Sequence, residues 1–421
     1  MSKLQELIQQ LCPKGVEYKN LGELGEFYGG LSGKSKDDFK NGNAKFITYM
    51  NVYSNLRLNL NVEERVRIGE NERQRTIEYG DVLFTGSSET PDECGFSSVL
   101  CDKTNEKLYL NSFSFGFRFN DKDLFNPEFT KYLFRSDELR KQISRTASGV
   151  TRFNVSKEKM KRVTIPIPPL PVQEEIVKIL DRFAEYAAEL QAELQARQEQ
   201  YEYYCNKLLS FNEIGGGTEQ VRWLKMSEIG TFIRGNGLQK KDFTESGVPC
   251  IHYGQIYTHY GTFATETKSF VSQDTARKCK KAHSGDLVFA TVSENIEDVC
   301  KCVAWLGNEE ICISGDSLAF KHRQNPKYLA YYFQTFVFAD YKRSRVTGTK
   351  VIRLHQSQLE QFVIPIPSLA EQQRIVSILD RFETLVNDLS QGLPAEMKAR
   401  KEQYEYYRNK LLTFTEYKIS A

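Results

Sequence analysis

The stretch IPIPPL at residues 165–170 returns as IPIPSL at residues 364–369, and ILDRF at 179–183 returns unchanged at 378–382. An internal repeat of this kind sets the architecture before any local pattern is considered. The chain is therefore a duplication, in which each copy is a variable head followed by a repeated arm. The predicted domains are head 1, a central arm, head 2 and a C-terminal arm, at residues 1–164, 165–214, 215–363 and 364–421.

The arms carry a coiled-coil pattern, because positions from Ile176 to Phe211 alternate spacings of four and three and are apolar except at Arg197. We expect a helix from Val172 to Phe211, about 60 Å long at 1.5 Å per residue. We expect the proline-rich segment before it to form neither strand nor helix. The predicted packing positions are Leu180, Phe183, Leu190, Leu194, Tyr201, Tyr204 and Leu208 in the first copy, and Leu379, Phe382, Leu389, Tyr404, Tyr407 and Leu411 in the second.

The second arm contains an insertion, QGLP at residues 391–394, which predicts a break in its helix at Gly392 and Pro394. A lone amphipathic helix of this length would leave an apolar stripe in water, so the two arms are expected to pair antiparallel. The alternative is that both helices serve only as an oligomer interface.

Composition indicates a soluble protein of two or more domains: 421 residues, 40% hydrophobic and 27% charged. We expect a cytoplasmic location, because no apolar run approaches a membrane span and residues 1–11 do not resemble a signal peptide. The nine cysteines form no CxxC pair, so free thiols are expected and no metal site. A net charge of +2 does not by itself suggest nucleic acid.

Each head is predicted to be α+β. GDVLFT at 80–85 matches GDLVFA at 285–290, and each predicts a turn into a short buried strand followed by a polar loop. Further strands are predicted at 113–119 and 317–320, with helices beginning at Pro127 and Pro326. Each head then ends in a basic loop that contains a glycine, which suits either phosphate contact or a plain solvated turn.

Motifs that would indicate catalysis are incomplete. In YGGLSGKS at 28–35, a phosphate-binding loop would need glycine where Tyr28 stands. Asn126-Pro127 and Asn325-Pro326 lack the second proline of the amino-methyltransferase motif, and no dinucleotide-binding glycine pattern accompanies them. No carboxylate constellation suits a metal-dependent nuclease. We therefore predict no catalytic residue and no metal ligand in this chain.

Two variable heads alternating with IPIPxL, ILDRF and EQYEYYxNKLL arms strongly resemble the specificity subunit of type I restriction-modification enzymes, over essentially the whole chain. The resemblance implies that each head reads one half of a split, asymmetric target in double-stranded DNA. It also implies that the arms fix the gap and bind two adenine methyltransferase (modification) subunits, and that restriction (translocase) subunits join outside. S-adenosylmethionine, ATP and Mg²⁺ would belong to those partners, and no membrane is implied.

Base reading in such a protein would come from polar and charged side chains on the loops of each head. The predicted DNA-contacting residues are Lys34, Tyr49, Asn51, Ser87, Glu89, Arg152 and Asn154 in head 1, and Arg234, Lys240, Tyr253, Gln255, Ser293, Asn295, Lys350 and Arg353 in head 2. Two other classes of function are weighed against this one. The first is a stand-alone methyltransferase or nuclease, and the second is a coiled-coil scaffold that binds only protein.

Overall fold

A computed structural model of the chain describes residues 2–211, 221–387 and 392–417. The chain forms two compact units. Unit one consists of Met1–Glu189 and Met397–Ala421, and unit two consists of Leu190–Glu396. Each unit therefore contains one head, the beginning of the arm that follows this head, and the end of the other arm.

Head 1 is built on an antiparallel four-stranded sheet, with strands in the spatial order Gly25–Gly29, Ser114–Phe119, Val82–Thr85 and Ser97–Val99. A second sheet contains one parallel pair and has the order Arg65–Val66, Ala44–Ile47, Leu108–Leu110 and Thr76–Ile77. A third has the order Ala147–Ser148, Phe153–Val155 and Ser87–Ser88. The α-helices of head 1, the first of which precedes the sheets, are Lys3–Leu11, Leu21–Leu24, Tyr49–Ser54, Pro127–Leu133, Asp137–Ser144 and Lys157–Met160.

Head 2 repeats this plan with two five-stranded sheets and one two-stranded sheet. Its first sheet has the order Gly230–Arg234, Ser317–His322, Leu287–Ala290, Cys302–Trp305 and Phe263–Ala264. Its second has the order Phe243–Thr244, Ser269–Val271, Val248–Ile251, Ile311–Ile313 and Lys281–Ala282, and Val292–Ser293 pairs with Ile352–Arg353. The helices are Met226–Ile229, Tyr253–Thr258, Gln273–Lys278, Pro326–Tyr332, Phe336–Arg343 and Gln356–Gln361. The α+β prediction is confirmed for both heads.

The prediction that the proline-rich segments form neither strand nor helix was wrong, because both segments contain a strand. Thr164–Ile167 pairs antiparallel with Glu17–Asn20, with Pro166 opposite Tyr18. Val363–Ile366 pairs with Arg222–Lys225 in the same way, with Pro365 opposite Trp223. A proline is tolerated here because each ladder has only two strands, so the position without an N–H group can face outward.

The first arm helix is continuous over Leu170–Ser210, 41 residues, and begins two residues before the predicted start. Pro171 fits because the first turn of a helix leaves its N–H groups unpaired. The second arm consists of two helices, Leu369–Asn387 and Leu393–Leu411, with Pro394 in the first turn of the latter. The predicted interruption therefore occurs, although residues 388–391 lie outside the described residues.

The arm helices pair antiparallel within each unit, as predicted. In unit one, the ring of Phe183 lies 6.3 Å from that of Tyr404 and 5.6 Å from that of Tyr407. In unit two, Tyr204 stacks on Phe382 at 5.4 Å. Most of the predicted packing residues belong to the hydrophobic core of their unit or pack against it. They are Leu180, Tyr404 and Leu411 in unit one, and Leu194, Tyr201, Leu208, Leu379 and Phe382 in unit two. Leu190 is half-buried, and Leu389 lies outside the described residues.

Each head packs its main sheet and helices on the arm helix that follows it. In unit one, Phe84, Phe117 and Phe129 share a buried core with Ile176 and Leu180 of the arm. Burial of one such side chain contributes roughly 1.5–3 kcal/mol. The arm is therefore part of the hydrophobic core of each unit as well as a connection between domains.

Two further features concern the helices and the cysteines. No helix in the described part of the chain is long and apolar enough to cross a membrane. All nine cysteines are free thiols, and eight of them are buried. Burial raises the pKa of several of these thiols, that of Cys101 to about 12, so they are poor nucleophiles at neutral pH.

Candidate nucleic-acid interface

Head 1 has an open cavity of about 560 Å³ on its surface. The buried strand Val82–Thr85 leads through Gly86 to one wall, and the helix Tyr49–Ser54 forms another. Several of its lining residues were predicted as DNA contacts from the sequence. The cavity is lined by Tyr49, Met50, Tyr53, Ser87, Ser88, Glu89, Glu93, Phe113, Thr151 and Arg152.

The basic loop of head 1 is held against this wall by strand pairing. Phe153 pairs with Ser88, and Asn154 pairs with Ser87. The loop turns at Gly149, whose φ is +153° and where a Cβ atom would lie 1.9 Å from the carbonyl oxygen of Arg152. Only glycine fits this turn, which brings Arg152 to the edge of the cavity.

The polar side chains of the cavity form two hydrogen-bonded groups, one around Glu93 and one at Arg152. Glu93 accepts hydrogen bonds from the hydroxyl groups of Tyr53 at 2.8 Å, Thr90 at 3.0 Å and Ser88 at 3.2 Å. These bonds, that of Tyr53 first, lower the pKa of Glu93, which therefore stays ionised. At the rim, Arg152 Nε donates to Ser87 Oγ at 3.0 Å.

Head 2 has the same framework with other side chains. Val292–Ser293 pairs with Ile352–Arg353, as Ser87–Ser88 pairs with residues 153–154 in head 1. Tyr257 donates to the carbonyl oxygens of Ala290, at 3.1 Å, and Val292. Arg353 forms an ion pair with Asp316 at 2.9 Å.

The structure brings four of the seven predicted residues of head 1 to the cavity, namely Tyr49, Ser87, Glu89 and Arg152. Asn154 lies beside Ser87 in the ladder and is exposed. The other two are engaged elsewhere in the fold. Lys34 is buried in an ion pair with Glu72 at 2.5 Å, and Asn51 holds the backbone of Asn59 through its amide.

In head 2, Lys240 is exposed, and Tyr253 is half-buried with its ring 4.4 Å from that of His252. Burial lowers the pKa of His252, and the charge of Lys240 lowers it further. Ser293 lies opposite Ile352 in the strand pair, and Arg353 lies opposite Val292. Gln255 is buried and bonded to Ser269 at 2.7 Å. The remaining predicted residues of head 2 are exposed and are Arg234, Asn295 and Lys350. Nothing in the structure tests DNA contact directly, so all fifteen residues remain predictions.

Sequence reasoning missed six residues of the cavity, namely Met50, Tyr53, Ser88, Glu93, Phe113 and Thr151. Apolar residues such as Met50 and Phe113 read as core positions in a sequence, and only the structure shows them exposed. Gly149 and Gly348 both have positive φ and occupy the same place in the two basic loops.

In the described part of the chain, no group of histidine, cysteine, aspartate or glutamate residues is arranged to hold a metal ion. The lining of the cavity in head 1 offers an ionised carboxylate, hydroxyl groups, a guanidinium group and aromatic faces. Such a set suits recognition by hydrogen bonding and stacking.

Comparison with known proteins agrees with the duplicated fold. A family model described as the type I restriction modification DNA specificity domain matches residues 13–200 and again residues 219–399. The specificity subunit of the Escherichia coli type I restriction enzyme EcoR124I/EcoR124II is 32% identical over 271 residues, 62% of this chain and 65% of that one. A putative type I restriction enzyme specificity subunit of Haemophilus influenzae is 31% identical over 291 residues, 64% of this chain and 68% of that one.

Two solved structures share the fold. One, from a study of complex assembly and conformational transition of the type I R-M system, has a TM-score of 0.67 and 19% identity, and the match covers 96% of this chain and 98% of that one. The other, the HsdS subunit of Thermoanaerobacter tengcongensis, has a TM-score of 0.53 and 18% identity, with 96% of each chain covered. At these identities the matches concern the fold alone.

Proposed function

The chain belongs to the type I restriction-modification DNA specificity family, and we propose that each head reads one half of a bipartite, asymmetric DNA target with a fixed gap. Phosphate contacts position such a protein, and side chains at base edges give it sequence specificity. The two heads present different side chains, so the two half-sites differ.

The observation that carries this proposal is the divergence of equivalent surface positions on a common framework. Arg152 of head 1 corresponds to Val351 of head 2, because Asn154 and Arg353 occupy the same place in their strand pairs. The residues that pack the arms are, by contrast, largely repeated between the copies. A scaffold that binds only protein would have no need for two different loop surfaces.

We further propose that this chain is not catalytic by itself and directs two adenine methyltransferase subunits, with restriction subunits, to the target. S-adenosylmethionine, ATP and Mg²⁺ would be bound by those subunits. This division of labour is supported by the lining of the head 1 cavity and by the buried, poorly nucleophilic thiols. It also explains the small net charge of +2, because partner subunits would supply much of the phosphate contact.

The experiment is to co-express the chain with the methyltransferase subunit of its own system, in a host that lacks this activity. Methylated adenines are then mapped across the host genome by single-molecule sequencing. We expect one split motif with a constant gap. Exchanging residues 1–164 for the head of a relative should change one half of the motif and leave the other half and the gap unchanged.

Exchange of residues 215–363 is the matched control, and it should change only the opposite half. A purified complex that methylates no fixed motif would contradict the proposal and favour the scaffold. A change in both half-sites after a single exchange would contradict the assignment of one half-site to each head.

A further inference from the structure

The two heads differ in one specific way at their proposed DNA-reading surfaces. The amide N–H group of Gly86 donates to the carbonyl oxygen of Phe113 at 2.8 Å, and that of Thr291 donates to Asp316 at 2.9 Å. These two bonds occupy the same place in the framework, so Phe113 and Asp316 are equivalent positions. In head 2, Asp316 is neutralised by its ion pair with Arg353. In head 1, the same position holds a phenylalanine that is 62% exposed.

At a second pair of equivalent positions, head 1 again has a large apolar side chain and head 2 does not. The helices Tyr49–Ser54 and Tyr253–Thr258 are equivalent, and their second residues are Met50 and Gly254. Met50 is 59% exposed and lines the cavity together with Phe113. Head 1 therefore exposes two large apolar side chains where head 2 has a glycine and a paired carboxylate. Exposed apolar side chains that cluster on a surface usually mark a contact site.

The charges around Phe113 and Met50 restrict what they can contact. Glu89 and the ionised Glu93 line the same cavity, and carboxylates repel phosphate groups, so the cavity is unsuited to the DNA backbone. Base edges are compatible with these carboxylates, because cytosine and adenine present amino groups there. Among base edges in the major groove, the C5-methyl group of thymine is the one apolar feature.

We propose that Phe113 and Met50 contact the C5-methyl group of a thymine in the half-site read by head 1. This inference rests on the proposed function. The guanidinium group of Arg152, 6.0 Å from the centre of the Phe113 ring, lies at the rim and can contact a neighbouring base or phosphate. Head 2 has no apolar pair at these two positions, so its half-site is read without this contact.

The test uses the methyltransferase complex and its mapped target. Each thymine of both half-sites, on either strand, is replaced in turn by deoxyuridine, which lacks only the methyl group. Dissociation constants are measured by fluorescence anisotropy at one fixed salt concentration. We expect about fourfold weaker binding for at least one position in the head 1 half-site, since one buried methyl group corresponds to about that factor. A thymine that head 2 contacts through Gly254 or Asp316 should not show this loss of affinity when it is replaced by deoxyuridine.

The variants Phe113→Ala and Met50→Ser then test which side chains are responsible. Each should bind the thymine duplex more weakly and lose most of the difference between thymine and deoxyuridine at that position. Phe336→Ala is the matched control, because Phe336 is also 62% exposed but lies in head 2, and this variant should keep the full difference. The ratio of the two dissociation constants is insensitive to a general loss of affinity.

Equal binding of thymine and deoxyuridine throughout the head 1 half-site would overturn the inference, and so would an undiminished difference in both variants. Insertion of Phe113 between base pairs would also give equal binding, because stacking does not need the methyl group. In each of these cases the fixed split motif would remain. A complex without any fixed motif would overturn the proposed function and this inference together.

Discussion

The aspartate of the repeated ILDRF motif fastens each arm helix to its head. Asp181 accepts a hydrogen bond from the hydroxyl group of Tyr132 at 2.6 Å and pairs with Lys131 at 3.1 Å. Asp380 accepts from Tyr331 at 2.7 Å and pairs with Lys327 at 2.9 Å. A buried tyrosine hydroxyl needs such an acceptor. The repeated aspartate is thus explained by structure alone.

The repeated NKLL motif carries a second connection of this kind, in which each arm end caps a helix of the head in its own unit. Asn409 accepts a hydrogen bond from the backbone N–H group of Asp137 at 3.1 Å, and Asn206 accepts from that of Phe336 at 2.8 Å. The first N–H groups of a helix have no partner within the helix. The asparagine of each copy therefore completes the head of the other copy.

We expect Asn206→Ala to destabilise unit two by about 1 kcal/mol, the usual effect of removing such a cap. Both tryptophans, Trp223 and Trp305, lie in unit two, so tryptophan emission during urea unfolding reports on this unit. Asn409→Ala removes the equivalent cap in unit one and should leave the tryptophan transition in place. Equal transitions for Asn206→Ala and the unchanged protein would refute the capping role.

His322 should make unit two sensitive to acid. Burial lowers its pKa to about 4, and among the described residues its Nε2 has no hydrogen-bond partner. The unfolded state, with a pKa of about 6.5, binds a proton more readily, so stability falls as the pH drops from about 6.5 towards 4. We expect this group to account for about 2 kcal/mol of the stability lost between pH 7 and pH 5.

The measurement compares His322→Phe with the unchanged protein by urea unfolding at both pH values. Phenylalanine can pack on Phe320, whose ring lies 5.4 Å from His322, and it does not titrate. The variant should therefore lose less stability on acidification. His259→Phe, at an exposed histidine, should keep the original pH dependence. A His322→Phe variant with unaltered pH dependence would show that this histidine is not the sensitive group.

At the scale of elements, aromatic contacts hold the antiparallel arm helices together in each unit. The Tyr204 and Phe382 rings are nearly parallel, with an interplanar angle of 24° and a centroid distance of 5.4 Å. Such pairs contribute about 0.5–1.5 kcal/mol beyond the burial of their area. The heptad pattern predicted the positions of these residues, because helical spacing determines which side chains share one face.

A double-mutant cycle on Tyr204→Ala and Phe382→Ala should give a coupling energy of about 0.5–1.5 kcal/mol, measured through tryptophan emission in urea. Leu385, one turn beyond Phe382 and partly exposed, provides the control. The pair Tyr204→Ala and Leu385→Ala should be additive within about 0.5 kcal/mol. Additivity of the Tyr204 and Phe382 variants would mean that the stacked rings do not hold the helices together.

At the scale of the whole molecule, duplication gives both units equivalent parts, because each contains one head, the beginning of one arm and the end of the other. Near the chain ends in unit one, the N–H group of Val16 donates to the carbonyl oxygen of Thr415 at 2.9 Å, and that of Tyr417 donates to the carbonyl oxygen of Val16 at 2.8 Å. The hydroxyl group of Tyr18 donates to the carbonyl oxygen of Phe414 at 2.9 Å. The C-terminal arm thus ends in the unit where the chain begins. Each unit is consequently completed by both copies of the repeat.

Deletion of residues 391–394 should alter the tolerated gap, or the assembly of the complex, and leave both half-sites unchanged. The deletion removes residues between the helices Leu369–Asn387 and Leu393–Leu411 together with the first two residues of the latter, whereas the proposed reading surfaces lie on the heads. Adenine methylation mapped in the host genome gives both quantities in one experiment. A motif with the original gap at full methylation would contradict this expectation.

The sequence alone determined the duplication, the α+β heads, the arm helices and their antiparallel pairing. These features follow from repeats and from hydrophobic spacing, which are local properties of a chain. It also placed helix starts at Pro127 and Pro326, and the structure shows both helices beginning there, capped by Asn126 and Asn325. The strands around Pro166 and Pro365 were missed, because a partner strand more than a hundred residues away decides whether a proline segment is paired.

The proposed reading surface was decided only by the tertiary structure. Lys34 is an exposed cation by sequence, yet the fold buries it against Glu72. Phe113 and Met50 look like core residues, yet the fold leaves them exposed beside Arg152. Spacing along a chain identifies which residues share a helix face or a strand. The direction of a loop side chain depends on contacts between distant segments, and these exist only after the chain has folded.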